Sequence, residues 1–175
     1  MAETSTAKPW ILRASFAALA LSILYWQLLP LNTVPSNWTG PDFLLVLTMV
    51  WVLRRPDYVP VLLIAALMLL ADFLLSRPPG LLAALTVIVT ENLRKRTLNG
   101  IDITFSVEWL TAAAGLTAIV IGNRVLVSIF VLDQASLGLT LIQLLVSILA
   151  YPLVVGCSAP FLGLRKIRFR EGEAT

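Results

Sequence analysis

Histidine is absent from the 175 residues and cysteine occurs once, at Cys157. Without histidine the chain lacks the commonest metal ligand and the commonest general base, which counts against metal-dependent and Ser–His mechanisms together. One cysteine excludes an intrachain disulfide framework and leaves the redox compartment open; inside an apolar run it reads as a small packing residue. Charge is scarce as well, at 13% of the chain against about 25% in a soluble domain. There is also no glycine-rich phosphate loop, no Gly-x-Ser-x-Gly elbow, no helical Glu-x-x-His and no metal-ligand spacing. The sequence offers no argument for an enzyme or for a cofactor.

What is present is apolar: 58% of the residues, gathered in six stretches that predict helices at 10–31, 38–53, 58–75, 79–93, 106–132 and 137–164. Six spans of about 20 residues nearly exhaust residues 1–175, so a single transmembrane domain is expected, without an extramembrane catalytic module. The class is an all-α integral membrane protein, a six-transmembrane-helix bundle. Eleven of the thirteen basic residues fall at alternate turnarounds. Lys8 and Arg13 lie at the start of the first stretch, Arg54 and Arg55 after the second, Arg94, Lys95 and Arg96 after the fourth, and Arg165, Lys166, Arg168 and Arg170 after the sixth. Basic loops are retained in the cytoplasm, so both termini are expected there. The net charge of +3 is therefore spread over short clusters beside apolar runs, which suits anionic lipid headgroups and not nucleic acid.

The first stretch has the basic flank of a signal peptide but ends Gln27-Leu28-Leu29-Pro30, with no small-x-small cleavage site, and reads as a retained helix. Segment 32–40, with Trp38, is an interfacial turn. Stretches two and four are short for a full crossing. Asp57 is placed to cap the third helix, with Arg54 and Arg55 facing headgroups. Pro78, Pro79 and Gly80 stop one helix and start the next. Ile101, Ile103 and Phe105 alternate with polar residues and suit a loop on the membrane surface, and residues 133–136 make the last outer turn. In the fifth stretch Ala114, Ala118 and Gly122 recur every four residues, a small-xxx-small packing stripe. Pro152, Gly156, Pro160 and Gly163 predict a bent or broken sixth helix.

A charge at membrane depth costs about 2.5 to 3.5 kcal/mol, so each one calls for a partner. Asp72 lies fifteen residues beyond Asp57, about 22 Å along its helix, and Arg124 eighteen beyond Ser106, about 27 Å along. An Asp72–Arg124 ion pair joining helices three and five is expected; the alternative is an Arg124 that snorkels outward and an Asp72 that is neutral or faces a wet cavity. Asp42 follows Pro41 and suits either a helix cap or a second carboxylate beside Arg77 or Arg124. Glu91 and Lys95 form an i,i+4 pair, and Glu108 in the first turn of helix five reads as structural. The 165–170 cluster is an orientation signal, or else a docking point for a cytoplasmic partner.

Three stretches carry a resemblance to a known family: Gly40-Pro41-Asp42-Phe43-Leu44-Leu45, Trp51-Val52-Leu53-Arg54-Arg55-Pro56, and Ala71-Asp72-Phe73-Leu74-Leu75 leading through Pro78 and Pro79 to Gly80. In these, and in overall size, the chain resembles the rod shape-determining MreD proteins, in particular their alphaproteobacterial form. The resemblance implies a non-enzymatic component of the bacterial inner membrane, required for rod shape and lateral cell-wall synthesis. Its implied partners are the bitopic protein MreC, filaments of the actin-like MreB, and the elongation-specific glycosyltransferase and transpeptidase. It also implies a fold similar to the substrate-binding component of energy-coupling-factor transporters, with an outward cavity near Asp42 and Asp72. The reading is a scaffold that binds membrane partners through small-residue faces, with Asp42, Asp72 and Arg124 fixing the outer half. The alternative is a substrate-capture subunit of a small-molecule transporter, and a lipid-modifying enzyme using Asp42 and Asp72 ranks last.

Overall fold

The computed structural model describes residues 7–29, 40–97, 104–130 and 136–162. The 32–39 turn with Trp38, Ile101 and Ile103, Asp133 and the 165–170 cluster lie outside the described residues. The described residues form six α-helices: α1 (Ala7–Leu28), α2 (Phe43–Arg54), α3 (Val61–Leu74), α4 (Leu81–Thr97), α5 (Phe105–Ile129) and α6 (Leu137–Leu162). A single 3-10 turn, Pro56–Tyr58, separates α2 from α3. No strand occurs among the described residues.

The helices differ in length, and the second is short, as its apolar stretch suggested. Three helical segments, Trp10–Leu28, Phe105–Ile129 and Leu137–Ser158, are long and apolar enough to cross a membrane. By contrast, α2 and α3 are apolar but only 12 and 14 residues long. At 1.5 Å per residue α2 reaches about 18 Å, well short of the roughly 30 Å hydrocarbon thickness. It is shielded by its neighbours instead: α2 touches α1, α4, α5 and α6, and Leu44 through Leu53 are all buried. A helix apolar on every face must be enclosed on every face, and α2 occupies the axis of the bundle for that reason.

Around this axis, α3 pairs with α4 and α5 with α6. Trp51 on α2 meets Phe16 on α1 with ring centroids 5.3 Å apart and planes tilted by 54°. The buried hydroxyls of Thr48, Thr86 and Thr90 donate to backbone carbonyls four residues back, at 2.7–2.8 Å. Each hydroxyl is thereby satisfied within its own helix, so these positions pack against apolar neighbours at no polar cost. Around the outside, large apolar side chains face away from the core, including Trp10, Trp26, Leu62, Phe73, Leu110 and Leu153. Such a surface is compatible with a membrane protein.

The small-residue stripe of α5 lies largely outside the core of the bundle. The buried face of α5 is Ala112, Gly115, Leu116 and Ile119, whereas Ala114 and Ala118 are exposed. Of the small-residue stripe only Gly122 is partly enclosed, beside Leu85. Nor is α6 broken: it runs continuously from Leu137 to Leu162 through Pro152. Proline at 152 removes the N–H that Ile148 O would accept, and the indole Nε1–H of Trp109 on α5 donates to that carbonyl at 3.0 Å. A neighbouring helix thus restores the bond that the proline deletes.

At the closest approach of α5 to the axis stands Gly115, where an added Cβ would lie 3.1 Å from both Met49 Cε and Leu93 Cδ1. Those contacts are the ends of flexible side chains. Gly115→Ala is therefore expected to change stability by less than about 1 kcal/mol, and Gly115→Val to lose about 1–3 kcal/mol by wedging α5 away from α2 and α4. Thermal unfolding of the detergent-purified proteins measures the difference; equal midpoints for the valine variant and the parent would contradict this packing.

Candidate functional site

Both ends of α2 lie against the longer helices, so each end is met by polar groups from its neighbours. At the C-terminal end Arg54 turns inward. Its Nε donates to Glu108 Oε1 at 2.7 Å and its Nη2 to Oε2 at 3.4 Å, a two-point pair with the first turn of α5. Glu108 is 1% exposed, and its Oε1 also accepts the Tyr151 hydroxyl of α6 at 2.9 Å. Arg54, Glu108 and Tyr151 therefore tie three helices to one carboxylate. Trp109, next along α5, holds Ile148 on the same stretch of α6. Arg54 is thus an internal group and not a headgroup contact, whereas Arg55 stacks over the Tyr58 ring at 5.8 Å. Close by, Arg94 donates to the Val59 carbonyl, fastening the α2–α3 connection to α4. Glu91 pairs with Arg94 at 3.2 Å rather than with Lys95. Asp57 lies in the 3-10 turn, and α3 begins at Val61, preceded by Pro60 and with no side-chain cap.

The α3–α4 connection is organised by Asp72, which is fully buried. Its backbone carbonyl accepts the Arg77 N–H at 2.9 Å across Ser76, whose φ of 53° is the left-handed residue that closes a Schellman-type helix end. Its carboxylate Oδ2 accepts the N–H groups of Gly80 at 3.1 Å and Ala83 at 3.3 Å. One acid therefore ends its own helix through its main chain and caps the next through its side chain, where an N-terminal dipole favours negative charge. The expected ion pair with Arg124 does not form. Backbone amides take its place on Asp72, and Arg124 Nη1 donates to Thr140 Oγ1 on α6 at 2.9 Å.

Asp42 fills both roles considered for it. It caps α2 by accepting the Leu45 N–H at 3.2 Å, and its Oδ2 lies 3.4 Å from Arg77 Nη1. Its own N–H donates to Ser147 Oγ on α6 at 2.9 Å. Above this end of α2 opens a cleft of about 290 Å³ lined by Asp42, Arg77, Asn123, Arg124, Thr140, Gln143 and Ser147, with Leu82, Leu116, Val120, Val127 and Leu144 as its apolar wall. Asp72 is not part of the lining. Asp42 and Arg124 thus share a site, while Asp72 stands behind it. No group of three or more His, Cys, Asp or Glu among the described residues is arranged to hold a metal.

Sequence reasoning underrated Glu108 and missed Tyr151 and Trp109. The signal was available: a tyrosine in the middle of an apolar stretch needs a partner for its hydroxyl, and a proline four residues after Ile148 leaves a carbonyl that needs a donor. No family model matches the chain, and no curated protein or solved structure matches it.

Glu108→Gln leaves the Arg54 charge buried without a counter-ion and is expected to lose about 3–5 kcal/mol, while replacing both residues by apolar ones (Arg54→Met with Glu108→Leu) costs much less. Chemical unfolding of both variants decides; a double variant at least as unstable as the single one would refute the account. At Asp72 an asparagine keeps an acceptor oxygen, so Asp72→Asn is expected to stay close to the parent. Asp72→Ala loses the cap, about 0.5–2 kcal/mol by the same assay.

Proposed function

We propose that the chain is a non-enzymatic scaffold of the bacterial cell-elongation machinery, a multi-pass protein of the inner membrane with both termini cytoplasmic and a bundle of the transporter substrate-binding-component type. The observation that carries this reading is where the family-like stretches fall. Asp42 caps α2 and meets Arg77; Arg54 holds Glu108 beneath the buried Trp51; Asp72 ties α3 to α4. Each stretch encodes a contact that sets how the helices sit, and that structural role of the quoted residues is what supports the reading. A scaffold needs a fixed frame and an open face. On α5, Ala114 and Ala118 face outward, flanked by the exposed apolar side chains of Leu110, Ile121 and Val125. Small residues on an outward helix face let another membrane helix approach closely, which suits the bitopic partner MreC. MreB filaments and the elongation glycosyltransferase and transpeptidase then join through that complex.

The test is affinity purification of the tagged protein from native membranes in mild detergent. Recovery of MreC and cell-wall synthases is expected, and Ala114→Leu with Ala118→Leu should lower that recovery several-fold without shifting the thermal midpoint. Recovery of a transporter ATPase module instead overturns the scaffold in favour of substrate capture.

A further inference from the structure

The flanks of the bundle differ in height. The outward apolar side chains of α5 run from Phe105 to Ile129, and its 25 residues reach about 37 Å. On α3 the outward positions are Leu62, Ala66, Leu69, Leu70 and Phe73, at the three- and four-residue spacing of a single helix face. The 14 residues of α3 reach only about 21 Å. Its neighbour α4 adds no height. Outward from α4 face Ala84 and Ile88, followed one turn later by Asn92 and Lys95, so this helix turns polar about 12 Å from its start. A helix longer than the roughly 30 Å hydrocarbon fits by tilting, but a shorter one cannot lengthen. Long polar side chains at its ends would relieve the shortfall by reaching for the headgroups. In the turn after α3 the exposed residues are Ser76 and Pro79, both short, while Arg77 is engaged by Asp42. In the turn before α3 Asp57 is exposed and short, and Arg55 lies over the Tyr58 ring. Nor is the face withdrawn behind other helices, since Leu62 near one end is 82% exposed and Phe73 near the other 63%.

We propose that the α3–α4 flank is a lipid-binding surface that holds the bilayer thin beside it, so that lipids with short acyl chains gather there while the α5 flank takes lipids of ordinary length. The occupant is lipid because the face is built from large side chains: Leu62, Leu69, Leu70 and Phe73 suit acyl chains, whereas helix–helix contacts within a membrane favour small residues that let backbones approach. Both ends of the short face are fixed. Arg94 ties the connection before α3 to α4 through the Val59 carbonyl, and Asp72 ties the turn after it to the first turn of α4. The bilayer is therefore the element that adapts. This inference needs only that the chain lies in a membrane, and it stands whether or not the scaffold reading does.

The test uses the full-length protein with Cys157→Ala and one reporter cysteine, Ala66→Cys on α3 or Ala118→Cys on α5, both at outward positions. Each is labelled with a fluorophore and reconstituted in equal mixtures of dimyristoleoyl- and dierucoyl-phosphatidylcholine, in which either the short or the long lipid is brominated and quenches the label on contact. At α3 the short lipid is expected to quench at least about twofold more than the long one, with no such preference at α5. Leu69→Cys, on the same face of α3, is a second reporter that keeps the test meaningful if Ala66→Cys folds poorly. Equal quenching by both lipids at α3, or the same preference at both helices, overturns the proposal. So does an α3 label shielded from both lipids, the result that a second copy covering this face would give.

Discussion

The enclosure of α2 is the constraint from which the rest of the structure follows. A 12-residue helix cannot bridge a bilayer by itself, and one that is apolar on all faces cannot be left at a surface. Both of its ends stop against longer helices, and the unpaired amides and carbonyls of a helix end, with whatever charge flanks them, need partners wherever water is excluded. The two polar assemblies of this protein answer that need. Asp42 and Ser147 meet the amides at one end; Arg54, Glu108 and Tyr151 gather at the other.

The energetics of these assemblies favour specificity over strength. A buried ion pair roughly repays the desolvation of its two charges and little more, so the Arg54–Glu108 contact adds little net stability relative to apolar residues of the same volume. It penalises misplacement instead. If α5 slid by one turn, about 5.4 Å, the guanidinium and the carboxylate would both stay buried and unpaired. The same holds for Trp109, whose indole reaches the Ile148 carbonyl only in the native register of α5 against α6. Helices with almost uniform apolar faces have few other ways to define how they sit against one another, and here the rare polar groups carry that information.

This division also explains what the sequence disclosed. Six helices were legible because apolar runs punctuated by proline and charge are a strong signal, and the all-helical class followed from the hydrogen-bonding demands of lipid. Rotational phase was not legible. Residues 112–115 read Ala-Ala-Ala-Gly, so small side chains point in every direction and no period identifies the buried face; tertiary contacts select Ala112 and Gly115 and leave Ala114 outside. Charged partners were equally hidden. The rule that places Arg54 with headgroups concerns loops and orientation, and it does not see that α2 ends beside Glu108. Asp72 was matched with Arg124 by depth alone, whereas its Oδ2 accepts backbone amides that come into place only once the Ser76–Gly80 turn is made.

The same recess that hides α2 creates the cleft. A helix that starts about 15 Å below its neighbour's first turn leaves a space above it, bounded by α5, α6 and the α3–α4 turn. Lengthening α2 by three turns would fill that space, and the Asp42 cap would move away from Ser147. Arg77 would then face Asp42 no longer, since the turn that carries it is fixed to Asp72 on α3. The short axial helix, the capped turn beside it and the charged cleft over it are therefore consequences of one another, and a change in the length of α2 would alter all three at once.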